Sequence, residues 1–384
     1  MTRPIIVQSS ATNSSRSKWR WIGVSLAGIL VGSWWIYSAH ELVIDGKPIG
    51  KWFDDYQNWI SPTGLQTARC YQVFVELEGD ALPFLVKCAQ SRQTSFDRAY
   101  ENIFRRLPAF CAQWLPQPRW DSWHLNRRNS AFQLIGHIGS AQRWKADTGE
   151  PSRKLGIEVA IPAVQAGIQV NETRTFAAQA AWLIGPPAAS LVPDLMKLAA
   201  EPNGSGSLAA LQAFGLMGSL ASNAVPLLVQ IATTEGSNRQ VHATQSLGGM
   251  GTAAHSAAFA IASLLNATNS ALNLVAARAL AELGVTPESA VPTLKTMQRG
   301  TNEWAARVAS LALWNADRNN NELRMKIVSA LRSDQRGWML SCLRALGTNA
   351  LPFADEVRRL TNDSNEVWRG QALAALQRIQ PPKP

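Results

Sequence analysis

GTNALPFADEVRRLTNDSNEVWRGQALAALQRI, residues 347–379, holds in one stretch the elements that decide the fold. It opens on a glycine turn, then Ala350-Leu351-Pro352. Proline suits the first turn of a helix, where its missing N–H has no intrahelical partner to lose. Leu351, Ala354 and Leu360 then keep helical spacing. The polar run Thr361–Asn365 closes that helix, and a second follows with Trp368, Ala372, Ala375 and Ile379 along one stripe. Two short helices of this kind cannot bury their apolar faces alone. Stacked on copies of themselves, they can.

Such copies occur upstream. Gly79-Asp80-Ala81-Leu82-Pro83 carries the turn, and Gly185 leads to Leu191-Val192-Pro193. Gly218 leads to Ala224-Val225-Pro226, Gly284 to Ala290-Val291-Pro292, and Ile161-Pro162 fits the same slot. Prolines 162, 193 and 226 lie 31 and 33 residues apart, and the intervals from 226 to 292 and from 292 to 352, of 66 and 60, are double steps. In the skipped slots, Gly251–His255 keeps the turn without the proline, and Leu323 to Ile327 opens a degenerate repeat. Second helices carry small residues at helical spacing, as at Ala305, Ala309 and Ala312, which lets neighbouring backbones approach closely. The expected fold is all-α: an α-solenoid of seven or eight stacked helix pairs, regular over 157–384 and divergent over 61–156.

The pattern of turn, Ala-hydrophobic-Pro, first helix, polar loop and Ala-rich second helix resembles HEAT repeats. The short period is most similar to the HEAT-like repeats of phycobilisome-lyase-type proteins. In Gly347–Ile379 the run Val367-Trp368-Arg369, with Ala372, Ala375 and Leu376, follows that family's Val-Arg-x-x-Ala-x-x-Ala-Leu pattern, Trp368 standing as an extra residue. The likeness runs from Ile157 to Ile379 and weakens over 61–156. Asp45-Gly46-Lys47-Pro48 with Trp52-Phe53 resembles the Gly-Lys-Pro-x-x-x-Trp lead-in of bacterial membrane-anchored HEAT-repeat proteins. The resemblance implies a scaffold with a protein-docking surface. It leaves an enzyme open, since some HEAT-like proteins are lyases or glycosylases.

Residues 21–39, WIGVSLAGILVGSWWIYSA, form an uncharged run of 19, and about 20 apolar residues span a bilayer core. The tail 1–20 carries Arg3, Arg16, Lys18 and Arg20 and no acid, which orients the N-terminus to the cytoplasm and the remainder to the exported side, periplasmic or extracellular. The expectation is an uncleaved signal anchor followed by a linker over 40–60. The rivals are a cleaved signal peptide, for which Tyr37-Ser38-Ala39 is a poor site, and a buried helix. Of a formal charge of +10, the tail supplies four, and the surplus that remains forms no basic stripe, so no nucleic-acid partner is expected. A hydrophobic content of 46% excludes wholesale disorder, and four cysteines in 384 residues are too few for a disulfide scaffold.

The period breaks between Leu107 and Ile157. The insertion over 109–153 holds Trp114, Arg119, Trp120, Trp123, His124, Arg127, Arg128 and Trp144. Trp and Arg dominate binding hot spots, and solenoid insertions map to loops on one face, so these eight residues are the candidate partner-binding set. The competing reading is a cap over the solenoid's first repeat. Two further alternatives use the same insertion: a lyase-like or hydrolytic site on His124, Asp121 or the arginines, and a small-ligand or glycan binder stacking rings on the tryptophans. No catalytic motif, phosphate loop or zinc spacing occurs, and neither cofactor nor metal is expected. Gly248–Gly251 reads as a repeat turn, and Asp54-Asp55 and Glu76-x-Glu78 as solvated carboxylates. Cys70 and Cys88, on consecutive expected helices, form a disulfide or remain buried thiols.

Overall fold

A computed structural model describes residues 41–58, 69–148, 156–234, 238–267, 269–334 and 336–381. The expected membrane span at 21–39 lies outside them. The chain divides into two units, 1–73 and 74–384.

In the first unit, residues 41–58, within the stretch read as a linker, form a hairpin and a helix. Strands β1 (Val43–Ile44) and β2 (Lys47–Pro48) pair antiparallel across Asp45-Gly46, both at positive φ. Helix α1 (Ile49–Asn58) follows directly, and its Trp52 Nε1 donates to the Ile44 carbonyl at 3.1 Å. The Lys47 ammonium sits over the Trp52 ring, 4.2 Å from its centroid, and also pairs with Asp55.

Helix α2 (Arg69–Leu77) carries the chain from the first unit into the second. There, α3 (Leu82–Ala89) starts the stack, and two short helices, α4 (Ser95–Phe104) and α5 (Ala109–Ala112), interrupt it before the long α6 (Asp121–Thr148). Regular alternation follows: α7 (Ile161–Ile168), α8 (Arg174–Ile184), α9 (Val192–Ala200), α10 (Ser207–Met217), α11 (Val225–Thr234), α12 (Asn238–Gly249) and α13 (Ala258–Ser263). It continues through α14 (Ser270–Leu283), α15 (Val291–Arg299), α16 (Glu303–Ala316), α17 (Asn321–Leu331), α18 (Arg336–Leu346), α19 (Ala354–Leu360) and α20 (Glu366–Ile379). The described residues thus hold eight first–second helix pairs, from α3 with α6 to α19 with α20.

The turn residues sit where the local chemistry places them. Gly185, Gly218, Gly251, Gly284 and Gly347 all adopt positive φ at the ends of second helices, three successive intervals being 33 residues. Pro83, Pro162, Pro193 and Pro292 occupy the first turn of α3, α7, α9 and α15. Pro352 is displaced into a 3-10 turn, Gly347–Phe353, so α19 starts at Ala354, three residues later than its proline implies by the pattern of the other helices. Asparagines cap helices by accepting backbone N–H bonds: Asn269 from Ala271, Asn302 from Ala305, Asn320 from Leu323 and Asn365 from Val367.

Second helices of adjacent repeats approach closely where small residues meet. A Cβ on Gly136 of α6 would lie 3.0 Å from the Ala180 backbone of α8, and one on Gly248 of α12 would lie 2.8 Å from Ala279 of α14. Ser207–Thr234 is long and apolar enough to cross a membrane by length and composition. It is, however, two helices of adjacent repeats, broken at Gly218, with Leu211, Phe214, Leu228 and Ile231 buried in the stack.

Within this unit the row of second helices curls until its last member, α20, meets α6. Arg344 of α18 pairs with Asp147 of α6 at 2.6 Å, across 197 residues of sequence. The Cys342 thiol of α18 donates to Glu282 of α14 at 3.6 Å, and Arg278 Nε donates to the same carboxylate at 2.7 Å. Burial holds the Glu282 carboxyl above its usual range, with Arg278 opposing, and pushes the Cys342 thiol well up.

The first repeat corrects one reading. Glu78, expected in solvent, is 2% exposed, adopts φ 48°, and is ion-paired with Lys145 of α6. Of the other carboxylate pair, Asp55 meets Lys47 on the surface.

Candidate functional site

The eight insertion residues separate into three groups. The first is a ladder of rings and guanidinium groups. Phe96 stacks on Tyr100, Tyr100 meets Phe104, and Phe104 meets Trp120, with centroids 6.5, 6.0 and 6.4 Å apart. Arg105 lies over Trp120 at 5.2 Å, and Arg119 and Arg127 both lie over Trp123, at 4.9 and 5.2 Å. Each such contact is worth about 0.5–2 kcal/mol, depending on desolvation. The Tyr100 hydroxyl donates to the Pro116 carbonyl at 2.7 Å. Together these contacts fasten α4 and the loop before α6 to the start of α6. Neither α4 nor α5 has a buried residue. Trp114, 83% exposed, stands outside the ladder.

The second group surrounds His124, which is 4% exposed. Its Nδ1 lies 2.8 Å from Ser91 Oγ, and its Nε2 lies 3.7 Å from Asp97. Burial lowers its basicity, the Asp97 carboxylate opposes, and Arg119, Asp121 and Arg128 contribute smaller effects of both signs. Burial raises the Asp97 carboxyl, but hydrogen bonds from Thr94 together with His124 and Arg119 outweigh it, leaving it below its usual range. Serine, histidine and aspartate are the groups of a nucleophilic triad. Here the His–Asp separation exceeds hydrogen-bond reach, and Asp97 already accepts from the Thr94 N–H and hydroxyl in the capping box of α4. The contacts bind the α3–α4 connection to α6. His137 lies thirteen residues further along the same helix, roughly 20 Å away at 1.5 Å per residue, so the two histidines do not share a site. Among the described residues no cluster of three His, Cys, Asp or Glu exists that would hold a metal. Cys70 and Cys88 are both buried.

The third group is Trp144, and it leads to residues the sequence reading passed over. Trp144 sits at the C-terminal end of α6, 37% exposed, with its ring on Gly370 of α20: a Cβ there would lie 2.2 Å from it. Trp368 of α20 sits in the same way on Gly337 of α18, also at 2.2 Å. Trp338 of α18 meets Trp304 of α16 edge-on, with centroids 5.8 Å apart. Trp304, Trp338 and Trp368 occupy the first turns of three second helices and are half-buried. Trp304 and Trp338 are in ring contact, and Trp368 and Trp144 each sit on a glycine of a neighbouring second helix, so the four tryptophans mark the successive seams α16–α18, α18–α20 and α20–α6. Arginines line these seams: Arg307 reaches Ser333 and Glu303, Arg336 pairs with Asp363 at 2.6 Å, and Arg369 donates to the Asp363 carbonyl at 2.8 Å. The Trp338 Nε1–H is buried with no acceptor. A signal was available, since aligning the repeats places tryptophan 304, 338 and 368 near one helical position.

The paired helices and their glycine, proline and asparagine punctuation define the class: this chain is an α-solenoid of stacked helix pairs. No family model and no curated protein matches it. Among solved structures it is similar to the CpcE–CpcF complex of phycocyanin lyase from Nostoc sp. PCC7120, at 15% identity and TM-score 0.36, over 80% of this chain and 98% of that one. It is similar to Kap121p at 12% identity and TM-score 0.38, over 81% of this chain and 35% of that one. An engineered protein matches at 18% identity and TM-score 0.31, over 66% and 91%.

Proposed function

We propose that this chain is a membrane-anchored scaffold, held by residues 21–39 with its solenoid on the exported side, and that the four seam tryptophans dock a protein partner. The carrying observation is the tryptophans themselves. Trp304, Trp338, Trp368 and Trp144 come from four second helices, are half-buried or partly exposed, and are rigidly seated, two of them on glycines. Rigid tryptophans framed by arginines are the residue types that concentrate binding energy at protein interfaces, and they lose little entropy on docking. The anchor is supported by the length and flanking charge of 21–39.

The test is site-specific photocrosslinking of the full chain in its native membrane. A photoreactive residue replaces Val367, 53% exposed beside Trp368, and in a second variant Phe259, 76% exposed on a first helix. Discrete adducts from position 367 that disappear with Trp368→Ala, and none from 259, are expected. Equal or absent labelling at both positions overturns the docking surface. Protease protection of the intact chain in sealed cells tests the topology separately.

A further inference from the structure

We infer that the α4–α5 hairpin is a membrane foot, which lies on an anionic bilayer surface and sets the solenoid against the membrane that holds its anchor. The inference rests on the membrane-anchored reading above, and its own evidence is separate. Five of the large apolar side chains exposed by the described residues fall between 96 and 115: Phe96 at 77%, Ile103 at 59%, Phe110 at 68%, Trp114 at 83% and Leu115 at 41%. On α4, Phe96, Tyr100 and Ile103 follow helical spacing along one face, and no residue of α4 or α5 is buried against the stack. The 114–120 loop meets the Tyr100 and Phe104 side of α4, while Phe96, Ile103, Phe110 and Trp114 remain exposed.

The charge identifies the occupant. Arg92, Arg98, Arg105, Arg106 and Arg119 are exposed around these side chains. Against these five arginines stand three carboxylates, Asp97 held by Thr94 near His124, Glu101 paired with Arg105, and the exposed Asp121, so the basic groups exceed the acidic ones by two. Short helices with aromatic and aliphatic side chains on one side and arginine on the other lie in the headgroup region of a bilayer. Tryptophan favours that depth, and arginine reaches from it to lipid phosphates. Protein hot spots sit in recessed, water-excluding surroundings, whereas these five side chains project. The ring ladder from Phe96 to Trp120 holds the hairpin in shape before contact, so docking orders little.

The experiment uses the full chain in vesicles, with Cys111→Ser and an environment-sensitive fluorophore on Phe110→Cys, or on Phe259→Cys as control. Vesicles are zwitterionic lipid alone or with about one-third anionic lipid. Flotation of the zwitterionic samples reports the anchor independently. For the foot, the label at 110 is expected to shift to the blue and to be quenched from lipid rather than from water in anionic vesicles, while the label at 259 stays aqueous. Arg98→Gln, Arg105→Gln and Arg106→Gln should each reduce the lipid-engaged fraction's equilibrium constant about fivefold, and raised salt should act in the same direction. A label at 110 that stays as aqueous as that at 259 in both vesicles overturns the foot, whether or not the chain floats. So does one that moves only when soluble proteins are added, which would assign the hairpin to a protein. If flotation fails but label 110 still enters added anionic vesicles, the foot stands and the anchor falls.

Discussion

Single glycines decide where the large rings of this solenoid rest. Gly370 is buried, and the Trp144 ring occupies the space its side chain would fill. Any larger residue there must displace the ring. Gly370→Val should therefore lower stability by about 1–3 kcal/mol, the usual cost of overpacking. In a Trp144→Ala background the same change should cost much less, because the contacting groups are coupled. Urea unfolding of the four members of that cycle measures the coupling, and additive effects would show that the ring does not sit there. His124 supplies a second prediction at this scale. Burial holds its folded pKa below 6.5, so between that value and 6.5 the unfolded chain binds more protons. Its contribution is complete above about pH 6.5 and is lost as pH falls through the folded pKa, at most about 1.4 kcal/mol per pH unit. His137 acts with the same sign, and Glu282, whose folded pKa is raised, acts with the opposite one. The difference between wild type and His124→Gln in urea midpoints at pH 7.5, 6.5 and 5.5 isolates the site. The variant should lose less stability on acidification, and parallel profiles would refute the assignment.

At the scale of the helix, capping was the most local of the signals. Asn302 accepts the Ala305 N–H at 3.1 Å, and Asn365 accepts that of Val367 at 2.9 Å. Both begin second helices that carry the clustered tryptophans, and Trp304 and Trp368 lie in the capped turns. Asn302→Ala should cost about 1 kcal/mol and Asn302→Asp much less. Thermal melts monitored by helical circular dichroism will show whether that order holds. The polar loops that carry these asparagines were readable because an N-cap is a contact between residues two or three apart. The insertion was less legible. Its composition marked 109–153 as different from the repeats, yet Asp121–Thr148 is one helix that serves as the second member of the first pair. Tryptophan and arginine content obscured the apolar stripe Ala131, Leu134, Ile135 and Ile138 by which it packs.

For the whole second unit, closure of the row of second helices changes the expected unfolding. In an open solenoid each repeat contacts only its neighbours, and the ends fray first. Here α20 reaches α6, with Trp144 on Gly370 and Arg344 on Asp147. That ion pair is partly exposed and worth less than about 1 kcal/mol by itself. The apolar contact is the larger part. Amide exchange in α20 should accordingly approach the protection of central helices such as α12 and α14, and Trp144→Ala should lower the protection of α20 selectively. Rapid exchange of α20 in the wild type, as at an ordinary solenoid end, would show that the junction does not hold.

What the sequence determined by itself was the repeat: helix pairs, their period near 33 residues, glycine at their ends and proline or asparagine at their starts. All of these follow from contacts within a few residues, where local sterics and hydrogen bonding leave few choices. Tertiary structure alone decided which tryptophans meet. The rotation of each repeat on the last accumulates over eight pairs, and only its sum brings α18 and α20 round to α6, 197 residues away in the pair Asp147–Arg344. Composition placed Trp144 beside Trp120 and Trp123 because it lies near them in sequence. The curvature of the stack, in which Gly136 and Gly248 let backbones approach closely, placed it on Gly370 of α20 instead.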